Sequence, residues 1–171
     1  GDLMRTFPQR KGAINWAALS GDANLAAFAL DGGEVEGWSV DDLKLKATIP
    51  PPGYRPDHLK FNLAADKLAV IYAGYGVGVY DLTKAKPEQI ALIWGQFNAL
   101  SFLGSDDTRL AIADRSRDAA IWSIEKQTAE VHLKGHEGMI WDIRSSDDGA
   151  TLATYSADTT ARIWSSYDGV C

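Results

Sequence analysis

A single cysteine among 171 residues is the first thing this sequence has too little of. Cys171, at the last position, has no second cysteine to pair with, so no internal disulfide can hold the fold. Asn15, Asn24, Asn62 and Asn98 all lack a Ser or Thr two positions on, which removes the glycosylation acceptor of secreted chains. Both absences suggest a reducing compartment, cytoplasmic or nuclear. Apolar stretches are strand-sized and interrupted, short of the about 18 consecutive residues a spanning helix needs, so no membrane partner is expected. The opening Gly-Asp-Leu-Met-Arg-Thr-Phe lacks a signal-peptide layout. A basic excess is missing too: 17 Lys and Arg against 23 Asp and Glu leave a net charge of −6. That balance opposes the basic stripe that a phosphate backbone requires, and no nucleic-acid partner is expected. With 46% hydrophobic residues the chain can still bury a sizeable core.

What is present is a period. Trp38, Tyr80, Trp122 and Trp164 recur at intervals of 42 residues, each near the end of a β-like run. Leu68, Leu110 and Leu152 stand twelve positions before their aromatics, so strand lengths repeat with the endpoints. Helical apolar spacing, which tetratricopeptide or ankyrin arrays would show at a shorter period, is absent. A period of about 40–45 residues with an aromatic at this place predicts propeller blades. The expected units are residues 1–42, 43–84, 85–126 and 127–168.

The last unit carries the most detail, Lys134-Gly-His-Glu-Gly through Asp158 to Arg-Ile-Trp164-Ser. Turn residues Ser146-Asp-Asp-Gly149 and Ser156-Ala-Asp-Thr-Thr160 divide it into three strands. It resembles a WD repeat, with Gly135-His136, the turn Asp158 and Trp164 in the matching places. Upstream the Gly-His pair becomes Gln9-Arg10, Pro51-Pro52 and Gly95-Gln96, and the turn Asp becomes Gly32, Gly74 and Ser116. The resemblance implies an all-β propeller of four blades with four antiparallel strands each, part of a ring of about seven. Residues 1–8 superimpose on the stretch from Gln127 and are expected to form the fourth strand of a preceding blade. A chain that starts and stops mid-blade without an initiating Met is expected to be a fragment. Its open ends would contact the remaining blades of a parent chain, or self-associate in the isolated piece.

The same resemblance assigns His136, Thr154, Asp158 and Trp164 to a structural tetrad. A buried carboxylate needs several donors to offset its desolvation, and this set supplies them. The other three repeats lack it and are expected to rely on apolar packing. His132 and His136 do not share a helix face, so a metal site is not expected. Gly74-Tyr-Gly-Val-Gly78 has no helix or Lys-Ser/Thr tail to hold phosphate. No cofactor and no catalytic residue is expected. A channel enzyme would need convergent acids and bases on the inner strands, where Asp57, His58 and Asp142 stand scattered in sequence.

The resemblance implies a protein-interaction scaffold that binds partners through one loop rim. Arg10, Lys11, Trp16, Tyr54, Arg55, Tyr75, Asn98, Arg115, Met139 and Trp141 lie at strand connections and are of the types that anchor interfaces. Alternation along an inner strand leaves only one face of Trp16 and Trp141's strands available. Pro51-Pro52-Gly53-Tyr54 resembles the Pro-Pro-any-Tyr ligand of WW domains. An alternative reading is the sensing or autoinhibitory segment of a larger NTPase or kinase.

Overall fold

A computed structural model describes residues 5–171. Among the described residues fifteen strands form four antiparallel sheets, each a meander in chain order. The first sheet holds β1 (Ile14–Leu19), β2 (Leu25–Leu30), β3 (Val35–Ser39) and β4 (Leu45–Ile49). The second holds β5 (Pro56–Phe61), β6 (Lys67–Tyr72), β7 (Gly76–Asp81) and β8 (Glu88–Trp94). The third holds β9 (Phe97–Leu103), β10 (Asp106–Asp114), β11 (Ala119–Ser123) and β12 (Thr128–Leu133). Among the described residues the last sheet has three strands, β13 (Ile140–Ser145), β14 (Thr151–Ser156) and β15 (Ala161–Ser165).

Neighbouring sheets pack through their inner strands, β1 beside β5, β5 beside β9 and β9 beside β13. This is the blade arrangement of a propeller. The sheets do not share the frame of the sequence repeat: β4 falls after residue 42 yet completes the first sheet. Expected strand residues Leu3 and Met4 lie outside the described residues, and Arg5 to Ala13 is neither helix nor strand. Phe7 instead packs edge-on against Phe28 and Trp38 of the first sheet, ring centroids 5.0 and 6.3 Å away.

Local chemistry repeats with the fold. Ser20, Asn62 and Ser146 close the first hairpin of their sheets in the same way, each side-chain oxygen accepting the N–H five residues on, from Leu25, Lys67 and Thr151 at 2.8–3.1 Å. Gly104 takes this place in the third sheet, because the turns of the third and fourth sheets meet there. A Cβ on Gly104 would stand 2.3 Å from the Asp147 carbonyl oxygen, and one on Gly149 2.6 Å from that of Leu103. Both glycines also hold positive φ, 54° and 70°, which a side chain would strain. A second repeated device is a register shift near the start of every inner strand, at Asn15, Asp57, Asn98 and Trp141. Such bulges turn a side chain off the face that alternation assigns to it.

Three apolar clusters fill the spaces between sheets. Leu59, Leu68 and Val70 meet Ala27 and Val35 between the first two sheets. Ile71, Val77 and Ile93 meet Leu100, Phe102 and Leu110 between the next two. Ile121 and Leu133 meet Ile140, Ile143 and Trp164 between the last two. The far face of the last sheet is uncovered, with Tyr155 and Ile163 53% and 61% exposed. This contrast predicts that Ile143→Ala lowers stability by about 2–4 kcal/mol, whereas Ile163→Ala stays within about 0.5 kcal/mol. Urea denaturation of the two variants measures both, and equal midpoint shifts would contradict the packing described.

Candidate functional site

The expected tetrad forms one hydrogen-bonded chain across the last sheet. The indole N–H of Trp164 donates to Thr154 Oγ1 at 2.8 Å, and Thr154 Oγ1 lies 2.8 Å from His136 Nε2. His136 Nδ1 is 2.7 Å from Asp158 Oδ2. An indole can only donate, so Thr154 accepts from it and gives its own proton to Nε2. The two ring nitrogens of His136 thus bridge the Thr154 hydroxyl and the Asp158 carboxylate. Asp158 also accepts from the Glu137 N–H at 3.0 Å and from the Thr160 N–H and hydroxyl at 2.9 and 2.7 Å. Desolvation pushes its carboxyl upward, but the bonds from Thr160, Glu137 and His136 outweigh that and hold it below the usual carboxylate range. His136, Thr154 and Trp164 are buried, and every polar atom of the three is used within the chain. The set can brace a blade and presents no free base or nucleophile.

Two other sheets have polar substitutes, which corrects the expectation that they rely on apolar packing. In the first sheet Trp38 Nε1 donates to Glu36 Oε2 at 2.9 Å. Arg10, at the place of His136, lies with Nε 2.6 Å from the same oxygen and its guanidinium 3.7 Å over the Trp38 ring. In the second sheet the buried hydroxyls of Tyr72 and Tyr80 are 3.0 Å apart. Burial pushes both phenols up and keeps them neutral. Arg10 reads as a surface candidate from sequence because Glu36 and Trp38, which bury it, stand 26 and 28 positions away.

Arg10 is accordingly no rim contact, its side chain being only 12% exposed. Asn98 is also engaged: its amide donates to the carbonyls of Asp114 and Ile140 at 3.4 and 3.3 Å and ties the third sheet to the fourth. Met139 is half-buried, and Trp16 and Trp141 line a central cavity between the inner strands. Trp141 reaches it from a bulge, so simple alternation does not govern its face.

The remaining candidates gather where the β4–β5, β6–β7 and β10–β11 connections share one rim. Tyr54 stacks on Tyr75 with centroids 4.2 Å apart, and Tyr75 meets Trp94 edge-on at 4.7 Å. Trp94 is 66% exposed and walls a groove with Phe97, Arg115 and Trp122. Arg55 and Arg115 flank the row, both turned to Asp57 with Nη2 2.9 and 3.9 Å from its carboxylate. Lys11 is exposed in the connection entering β1. Sequence reasoning passed over Trp94. It stands 42 positions before His136, a phase that marks it as the residue at the top of its blade. The Tyr54 stack also counts against the WW-ligand reading, since docking would have to break a pair worth roughly 0.5–1.5 kcal/mol. Among the described residues no group of three or more His, Cys, Asp or Glu could hold a metal ion.

Residues 127–165 match the family model described as WD domain, G-beta repeat. The guanine nucleotide-binding protein subunit beta of Saccharomyces cerevisiae is 25% identical over 158 residues, 90% of this chain and 30% of that protein. Eukaryotic translation initiation factor 3 subunit I of Aspergillus oryzae is 32% identical over 74 residues, 43% of this chain and 22% of that protein. The Target of rapamycin complex subunit LST8 of Saccharomyces cerevisiae is 38% identical over 69 residues, 37% of this chain and 23% of that protein. The chain thus spans less than a third of the length of these relatives, 22–30%.

Thr154→Val leaves the Trp164 N–H and His136 Nε2 without partners in a dry site. It is expected to lower stability by about 1–3 kcal/mol, while Asp118→Ala, in an exposed turn, leaves the denaturation midpoint unmoved. A second expectation concerns acid. The folded-state value of Asp158 lies below its unfolded value of 3.8, so its contribution is complete above roughly pH 5 and is lost as pH falls through the folded value. The stability difference between the wild type and Asp158→Asn should therefore shrink from pH 6 towards pH 2, measured by denaturant titration at each pH. A gap independent of pH would show that Asp158 does not act through its charge.

Proposed function

This chain belongs to the WD-repeat family, and from that premise we propose that it is a non-catalytic scaffold receiving protein partners on the rim that carries Tyr54, Tyr75 and Trp94. One observation carries the reading: three aromatic rings in contact with one another, ending in a largely exposed Trp94, with Arg55 and Arg115 at their flanks. Tyr, Trp and Arg supply large contact areas at low entropic cost and dominate binding energies at interfaces. Tyr75 holds its neighbours in place before any partner arrives, which reduces the ordering cost of association. The relatives named above as subunits of an initiation factor and of a complex agree with a role in assemblies. The same reading assigns the exposed face of the last sheet, with Tyr155 and Ile163, to a further blade of a longer chain or to a second copy.

Trp94→Ala is expected to weaken partner binding by roughly 30-fold or more, the effect of losing an interface anchor. Leu63→Ala, exposed in the first hairpin of the second sheet, should leave binding unchanged. Quantitative comparison of the proteins that co-purify with each variant, at matched thermal stability, decides it. Equal recovery with Trp94→Ala and wild type would remove this rim from consideration.

A further inference from the structure

The inner strands enclose a second feature that the rim does not use. Between β1, β5, β9 and β13 lies a cavity of about 440 Å³, within the range of small-molecule sites. His58 and Lys60 are two apart on β5, and Asp142 and Arg144 two apart on β13, so each pair shares the face turned to this space. Their charges do not balance. Asp142 Oδ2 is engaged by Arg144 Nη2 at 2.7 Å, and its Oδ1 accepts from the Ile143 N–H at 2.9 Å. Asp57, the other carboxylate near His58, is turned to Arg55 and Arg115. Lys60 is half-buried and has no carboxylate within 4.0 Å among the described residues. Burial lowers its pKa first, and the nearby Arg144 cation lowers it further against the pull of Asp142. His58 Nδ1 is buried without a hydrogen-bond partner, while its ring lies 4.0 Å from that of Trp16. Two cations thus line a space whose one carboxylate is already held by Arg144 and the Ile143 N–H, beside two partly exposed indoles, those of Trp16 and Trp141.

We propose that this cavity binds a small aromatic carboxylate, its charge held by Lys60 and Arg144 and its ring set against Trp16 and Trp141. An anion there compensates a half-buried ammonium that has no carboxylate within 4.0 Å among the described residues, and charge-assisted bonds in a partly dry site are the strong ones. The flat ring uses the part of the Trp16 and Trp141 indoles that stays exposed, 39% and 50% of each residue. The site is independent of the rim and of any protein partner.

Benzoate is the probe, with benzamide as its neutral counterpart of the same shape. Titration of the full chain, followed by calorimetry and by the indole N–H resonances, should show saturable benzoate binding that shifts the signals of Trp16 and Trp141. Benzamide should bind at least about fivefold more weakly. Lys60→Gln and Arg144→Gln should each weaken benzoate by a similar factor, and Lys67→Gln, outside the cavity, should not. If Lys60→Gln fails to fold, the exposed Arg144→Gln carries the decision. No saturation, equal binding of benzamide, or indifference to Arg144→Gln would overturn the proposal.

Discussion

No sheet in this protein can cover its own faces, and that constraint organises everything else. Each meander is apolar on the sides that meet its neighbours. Leu68 and Val70 are buried because Ala27 and Val35 of the preceding sheet lie against the second sheet, and Ile121 is buried because Ile140 and Ile143 come up from the next. Stability is therefore a property of adjacent pairs, as in other repeat architectures. The consequence is visible at the last sheet, where alternate residues of β14 and β15 stay exposed on the side with no neighbour.

Within that frame the blades solve one problem with different chemistry. An aromatic with a polar edge stands near the end of the third strand and needs a partner for it. The last sheet uses a His–Thr–Asp chain, the first a carboxylate shared by an indole and a guanidinium, and the second a pair of phenols. The fixed requirement is satisfaction of a buried donor, and residue identity is free to vary around it. This freedom explains why the last repeat is legible as a family member while the first is not. Arg10 and Glu36 look like surface charges until Trp38 is seen in contact with both.

The bulge near the start of each inner strand links this architecture to both proposed binding regions. At Asp57 it turns a carboxylate towards the two rim arginines, and at Trp141 it brings an indole to the central cavity. A side-chain face argued from alternation alone fails at these positions, because one inserted residue reverses the assignment for its own side chain. Trp94 is a different case. Its phase with His136 is present in the sequence, but the Gly95-Gln96 pair that resembles the Gly-His of the last repeat stands two positions out of that phase.

The 42-residue recurrence of Trp38, Tyr80, Trp122 and Trp164 by itself determined the all-β architecture, the number of sheets and their antiparallel order, since strand length and turn position are local properties carried by each repeat. The four residues that the family resemblance assigns to a tetrad lie within one repeat, and their side chains form one hydrogen-bonded chain. Only the tertiary structure decided which polar groups are consumed and which remain available. The contacts that settle this join different sheets or distant turns: Asn98 to Ile140, Tyr54 to Tyr75 to Trp94, and Arg115 to Asp57. Period and turn chemistry set what each blade is, while the exposure of a side chain depends on the neighbour that the chain brings back beside it.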